Sequence, residues 1–162
     1  DAGIYGMAGL AIELSGALNL NVPIEIIAGV SAASSAGARL GAPLTLDFAT
    51  ISLSDLLVPW EMIKRRLEAV ATADLVVALY NPKSKKRVEQ LAEAAAIFLK
   101  HRKAETPVGI CDSIGLDNER TVITTLGKFL EEDIGMRTTV IVGNSSSKII
   151  GGWFVNPRGY KI

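Results

Sequence analysis

Residues 24–40, IEIIAGVSAASSAGARL, decide the fold of this chain. A run of β-branched residues stops at Gly29, Ser31 follows, and the next residues are so small that the backbone itself forms the surface. This order predicts a strand over residues 24–28, a loop, and the N-terminus of a helix with Ser31 as its N-cap. The free N–H groups of such a helix start leave room for a ligand, although tight packing of the helix on a sheet explains the same residues.

On either side of this stretch, the spacing of apolar residues alternates between helical and strand patterns. The patterns predict an amphipathic helix over residues 5–18, a turn at 41–43, strands at 48–53, 74–80, 107–111, 121–124 and 138–142, and helices at 60–72, 88–100 and 126–132. Alternating strands and helices predict an α/β fold, here a layered domain with a mixed, mostly parallel sheet flanked by helices.

The composition limits the classes of function. Lys and Arg together number 17, as do Asp and Glu, so no overall charge attracts nucleic acid or an anionic membrane. Cys111 and His101 are the single residues of their types, which excludes a Cys/His zinc cluster and an intrachain disulfide. We therefore expect a protein of the reducing cytoplasm that has no membrane or nucleic-acid partner and needs no metal.

Four predicted strands end in loops of small or amide residues, which lie at residues 28–31, 80–81, 111–114 and 143–147. If one edge of the sheet gathers them, backbone groups, hydroxyls and amides form a ligand site there. The motifs of Rossmann dinucleotide sites, P-loops and serine hydrolases do not occur. Such a site permits methyl transfer from a sulfonium cofactor, because that reaction mainly requires alignment of its two partners, but the residues do not select it.

Cations closely follow the second of these strand ends, at residues 80–81. Lys83, Lys85, Lys86 and Arg87 precede a predicted helix, where they oppose the helix dipole unless an anion offsets them. They form either a solvated loop or a patch for substrate carboxylates or phosphates.

Two alternatives are also open for Trp153 and its neighbour Phe154. They belong either to a terminal hairpin or to a dimer contact.

Six segments resemble those of the tetrapyrrole methylases, the S-adenosylmethionine-dependent enzymes of cobalamin and sirohaem synthesis. The segments are DAGIYGMAG (1–9), AGVSAAS (28–34), ISLSDLL (51–57), ALYNPKS (78–84), TTVIVGNS (138–145) and PRGY (157–160). Within that family, the resemblance is to the group that methylates C-17 of precorrin-3B with ring contraction. It implies two α/β domains that bind S-adenosylmethionine between them, usually in a homodimer.

The resemblance also implies a domain division and a cofactor site. Residues 1–20 correspond to the tail of the N-terminal domain and residues 21–162 to the C-terminal domain. The remainder of the N-terminal domain, with its G-x-G-P-G loop, does not precede Asp1, so we expect the 162-residue chain alone to be inactive or nearly so. The implied cofactor contacts fall on Asp1, Ile4, Ser31, Ala32, Asn81 and Ile114.

The implied substrate is a tetrapyrrole polycarboxylate, for which Lys83, Lys85 and Arg87 are the candidate anchors. No catalytic acid or base is implied. Ala2 and Ala28 stand where the family usually has proline, and residues 112–116 lack the arginines that the family usually has there. A methylase for another position of the macrocycle, and a non-catalytic dimerisation or binding module from a truncated paralogue, are alternative functions.

Overall fold

The computed structural model describes residues 1–161, which form two compact units, residues 1–32 and residues 33 onward. The sequence analysis placed a domain boundary after Leu20, by resemblance to the two-domain family fold. The division into these two units does not test that boundary, which stays a prediction.

Unit 1 contains helix α1 (Ala8–Ala17), which is shorter than predicted and is not amphipathic. Leu10 and Leu14 are 47% and 50% exposed, and Ile12, on the opposite side of the helix, is 52% exposed. Because apolar side chains occupy both sides, no single stripe is buried, and the prediction of an amphipathic helix was wrong.

The strand predicted over residues 24–28 does not form, and residues 20–31 are irregular and almost entirely exposed. A strand exists through hydrogen bonds to a neighbouring strand, and in the part of the chain described here no strand pairs with this segment. Its β-branched residues favour a strand, but the segment has no neighbouring strand among residues 1–161 with which to form one.

Unit 2 has helices on both faces of a sheet. Its helices are α2 (Ala32–Leu40, whose first residue is at the unit boundary), α3 (Trp60–Thr72) and α4 (Gln90–Leu99), with a 3₁₀ turn at Phe129–Glu131 where a longer helix was predicted. Its strands are β1 (Gly41–Ala42), β2 (Phe48–Ser52), β3 (Val76–Tyr80), β4 (Pro107–Asp112), β5 (Arg120–Thr125), β6 (Thr138–Val142), β7 (Lys148–Ile150) and β8 (Trp153–Val155).

The main sheet has the order β2-β3-β6-β4-β5. This sheet is mixed, as predicted, but β2–β3 is the one parallel pair among its described strands, so the expectation of a mostly parallel sheet was wrong. The reason is connectivity. Helix α3 provides the crossover that returns β3 parallel to β2, whereas the short loop between β4 and β5 makes a hairpin, and β6 enters between β3 and β4 in the opposite direction.

Both faces of the sheet are covered, as the apolar run before Tyr80 predicts. Val77 and Leu79 of β3 belong to the large core formed with α3 and α4. Val76 and Ala78 point to the other face and belong to a smaller core with α2. Gly109 on β4 leaves the space that the fully buried side chain of Leu40 occupies.

A second, small sheet has the order β1-β8-β7. The turn predicted at residues 41–43 is wrong in part, because Gly41 and Ala42 pair in parallel with β8. Strands β7 and β8 form a hairpin at Gly151 and Gly152, which both have positive φ angles of 57° and 84°. The hairpin reading of Trp153 is therefore confirmed. Among the described residues, no helix has the length and apolar character needed to cross a membrane.

Candidate functional site

One edge of the main sheet brings together the carboxyl ends of β2, β3 and β4. Ser52 pairs with Tyr80 in the parallel register, and Asp112 at the end of β4 pairs with Thr138 at the start of β6. The loops that follow these strands contain most of the site residues predicted in unit 2. We call this edge the loop edge.

Residues 143–147 do not belong to the loop edge, which corrects the expectation that all four strand-end loops meet. Because β6 is antiparallel to β3 and β4, it ends beside their first residues. The N–H of Gly143 accordingly donates to the carbonyl of Pro107 at 2.9 Å, and Asn144 Nδ2 donates to the carbonyl of Asp74 at 2.9 Å.

Asn81 links two neighbouring loops of the loop edge. Its Nδ2 donates to Ser52 Oγ at 3.0 Å, and its backbone carbonyl accepts a hydrogen bond from Arg87 Nη2 at 2.9 Å. Its φ angle is +50°, in the left-handed region that asparagine tolerates better than most residues. The predicted cofactor residue therefore also organises the loops around it.

The predicted substrate anchors differ in their surroundings. The half-buried Arg87 donates to the carbonyl of Asn81, its Nη2 lies 3.5 Å from Met136 Sδ, and its Nε is buried without a hydrogen-bond partner. Lys85 is exposed and Lys83 is half-buried. Helix α4 begins only at Gln90, so these cations lie farther from the positive end of the helix dipole than predicted.

In the loop after β2, hydrogen bonds fix the first residues, and the residues at the tip are apolar and exposed. Asp55 Oδ2 accepts a hydrogen bond from Gln90 Nε2 at 2.8 Å. The N–H of Ser54 donates to Ser52 Oγ at 3.2 Å. The next residues, Leu56 and Leu57, are 83% and 91% exposed.

The loop after β4 begins with a hydrogen-bonded carboxylate. Asp112 accepts hydrogen bonds from Thr138 Oγ1 and Ser113 Oγ, each at 2.7 Å, and these bonds hold the pKa of its carboxyl below the ordinary value. Ser113 is buried and has a φ angle of +52°. The half-buried side chain of Ile114 packs against the smaller core. The side chain of Ile114 is therefore engaged in packing, and its cofactor role stays a prediction.

The start of α2 contains a contact that sequence reasoning missed. The N–H of Ala33, the second residue of the helix, donates to the hydroxyl of Tyr80 at 2.8 Å. Ser31 lies at the N-cap position, as predicted, because the helix begins at Ala32. The role of the Tyr80 hydroxyl depends on the packing of α2 against β3, so no local pattern indicates it.

Two predicted segments meet in unit 1. The carboxylate of Asp1 accepts the N–H of Gly3 at 2.7 Å and that of Gly29 at 3.0 Å. A Cβ on Gly29 would lie 3.2 Å from Asp1 Cα, a tight contact that a side chain could make only with a small shift of the neighbouring backbone. Helix α1 starts after Met7, so Asp1 is not its N-cap, and Ile4 in the same loop is 42% exposed.

Comparisons with known proteins identify relatives of the chain. The family profile described as "Tetrapyrrole (Corrin/Porphyrin) Methylases" matches residues 1–130. A "Cobalt-factor III methyltransferase" of Priestia megaterium is 50% identical over 99% of this chain and 31% of its own length. A "Probable cobalt-factor III C(17)-methyltransferase" of Salmonella typhimurium is 44% identical over 100% of this chain and 67% of its own length. The crystal structure of the methyltransferase CobJ has a TM-score of 0.91 at 31% identity, covering 97% of this chain and 66% of that one.

Proposed function

Because the chain belongs to the tetrapyrrole methylase family, we propose that its protein transfers a methyl group from S-adenosylmethionine to C-17 of precorrin-3B or its cobalt form, with ring contraction, in cobalamin synthesis. The observation that carries this proposal is the alignment of the whole chain, at 44% identity, with a relative whose name specifies cobalt-factor III and C-17. The name of the relative from Priestia megaterium also specifies cobalt-factor III, which favours the cobalt form of the substrate.

The residues present fit a cofactor that is held by the main chain. Asp1 and Gly29 close one loop in unit 1 through a hydrogen bond, and a Cβ on Gly29 would make a tight contact with Asp1. At the loop edge, Asn81 and Ile114 present backbone and amide groups on loops that are already ordered. S-adenosylmethionine, when bound, supplies an electrophilic methyl group. Asp1, Ile4, Ser31, Ala32, Asn81 and Ile114 are the proposed contacts.

The work of the protein is then alignment. Transfer of an activated methyl group needs no protein nucleophile, and correct placement of two partners contributes several kcal/mol, about 7–11 in favourable model reactions. The hydrogen bonds of Asn81 to Ser52 and to Arg87 fix the loops that perform this placement before any ligand binds.

We assign the macrocycle to the cations and the apolar tip of the loop edge. A tetrapyrrole polycarboxylate has an apolar face and an anionic rim, which require apolar contact and cationic partners. Leu56 and Leu57 supply exposed apolar surface, and Lys83 and Lys85 supply the charge. Arg87 has a dual role in this proposal, because its guanidinium already orders the loop of Asn81.

Homodimerisation and a cytoplasmic location are parts of the same proposal. On the outward face of the β7–β8 hairpin, Ile150 and Trp153 are cross-strand partners that are 54% and 56% exposed. Paired apolar side chains on an edge hairpin are suited to contact with a second copy.

The proposed cytoplasmic location rests on Cys111, the single cysteine, which is a free thiol as is usual in a reducing compartment.

The test is methyl transfer by the complete gene product that contains this chain, with cobalt-factor III, precorrin-3B and precorrins that are methylated at other positions. We expect one methyl group to be added to C-17 of one of the first two, as mass and NMR spectra will show. Methylation at another carbon alone would favour the alternative methylase. Calorimetry with S-adenosylhomocysteine separates the remaining alternative, because a pure dimerisation module binds none.

A further inference from the structure

One carboxylate braces the loop between β4 and β5. Glu119 Oε2 accepts the backbone N–H of Gly115 at 2.7 Å. The same carboxylate receives the guanidinium of Arg39 at two points, from Nε to Oε1 at 2.6 Å and from Nη2 to Oε2 at 3.2 Å. Since Arg39 is on the last turn of α2, Glu119 joins the loop to that helix.

The braced segment has an unusual backbone. Ser113 and Gly115 have φ angles of +52° and +81°, on the two sides of Ile114. The N–H of Leu116 donates to the carbonyl of Ser113, and that of Glu119 to the carbonyl of Leu116, each at 3.0 Å. A left-handed conformation at a residue other than glycine persists only where its surroundings enforce it. The bond from Gly115 to Glu119 is one of the contacts that enforce this one.

Stability alone is a weak reason for the Arg39–Glu119 pair. The two side chains are 52% and 23% exposed, and ion pairs at such surfaces add little to stability because water and salt screen them. The bidentate geometry, in contrast, restricts direction strongly. The pair is therefore better suited to orienting the loop than to stabilising the fold.

We propose that Glu119 is a positioning residue for the methyl donor. By holding the N–H of Gly115 against α2, it keeps the backbone of Ile114 in a fixed relation to the helix. The inference rests on the proposed function, in which Ile114 contacts the cofactor through its backbone. An ordered loop loses less conformational entropy when a ligand binds, so the brace raises affinity for the donor without contacting it.

The test compares binding of S-adenosylhomocysteine to the complete gene product and to its Glu119→Ala, Glu119→Gln and Arg39→Ala variants. We expect Glu119→Ala to raise the dissociation constant about tenfold, the effect of one lost hydrogen bond to a charged acceptor. Glu119→Gln keeps an oxygen for Gly115 and should have a smaller effect. Arg39→Ala removes the contact through which Glu119 reaches α2, so it should also raise the dissociation constant. Glu61→Ala is the control, because it removes an exposed pair with Lys64 that touches no loop.

Two further measurements separate positioning from a general loss of structure. In Glu119→Ala the KM for S-adenosylmethionine should rise while kcat at saturation and the affinity for the tetrapyrrole stay the same, and the amide of Gly115 should exchange hydrogen faster. If Glu119→Ala binds S-adenosylhomocysteine within twofold of the parent, or loses affinity for the tetrapyrrole to the same extent, the positioning role of Glu119 is overturned. The proposed function would not be affected by either result. A parent protein that binds no S-adenosylhomocysteine would overturn the proposed function, and the inference with it.

Discussion

Replacing Tyr80 with phenylalanine tests whether β3 holds the start of α2. The hydroxyl of Tyr80 accepts the N–H of Ala33 at 2.8 Å, and Ala33 is only 2% exposed. The N–H groups in the first turn of a helix have no partner within the helix. Tyr80→Phe removes one oxygen and keeps the ring, so this N–H loses its acceptor.

The expected cost follows from the burial. Leaving a buried N–H without a partner costs about 1–3 kcal/mol, and the half-exposed position of Tyr80 allows water to recover a part of this. We therefore expect the free energy of unfolding to fall by about 1–1.5 kcal/mol. With a urea m-value of about 2 kcal/mol/M for a chain of this size, the midpoint should move by roughly 0.5–0.7 M. Since Ser31 and Ala32, two of the proposed cofactor contacts, lie at the same helix start, we expect affinity for S-adenosylhomocysteine to fall as well.

Urea titration followed by circular dichroism measures the change. Tyr160→Phe is the matched control, since this tyrosine is 74% exposed and the same atom is removed. Equal midpoints for the two variants would refute the argument that the Tyr80 hydroxyl secures the helix.

Three other substitutions test the packing and the loop edge. Gly109→Ala should cost about 1–3 kcal/mol in an unfolding titration, because the new Cβ would lie 2.3 Å from Cδ1 of the fully buried Leu40. Burial raises the pKa of Cys111 from 9.0 to about 11, so iodoacetamide at neutral pH should modify it only after unfolding. The unfolded chain loses that thiol proton first, so stability should fall as the pH rises from about 9 to 11, and Cys111→Ala should lack this decline. Asn81→Ala should cost about 2 kcal/mol through the lost bond to Ser52 and the positive φ, and Asn81→Gly, which relieves the φ, roughly 0.5–1 kcal/mol less.

Local patterns predict the elements whose signals are local. Helix α3 has the predicted bounds, because Pro59 sets its start and apolar residues recur at helical spacing along it. Strands β2, β4 and β6 agree within one residue, because each is a short β-branched or apolar run between turn residues. For such segments, the residues themselves contain the information that determines the structure.

Pairing between strands is not local, and several predictions that depend on it failed. Nothing within residues 138–142 indicates that β6 lies between β3 and β4 or runs against both. Residues 143–147 were therefore assigned to the wrong edge of the sheet. The strand expected at residues 24–28 failed for a related reason: its residues have β propensity, but no described strand pairs with them.

The candidate site shows the same contrast: the sequence reveals which residues lie in the loops, but not which residues they contact. The sequence places Asn81 and Ile114 in predicted strand-end loops, and their cofactor roles, which the family resemblance implies, stay predictions. Their contacts are not visible in the sequence, because the register that pairs Ser52 with Tyr80 is what brings the Ser52 hydroxyl beside Asn81.

This arrangement has a consequence for how the loop edge can bind ligands. Polar groups of Asn81 and Arg87 are already used to hold neighbouring loops, as is the carboxylate of Asp55. The loops therefore lose little conformational entropy when a ligand binds. What they leave for a ligand is exposed apolar surface at Leu56 and the charge of Lys85. Substitutions of the first group should therefore lower stability and affinity together, whereas substitutions at Leu56 or Lys85 should lower affinity for the macrocycle alone.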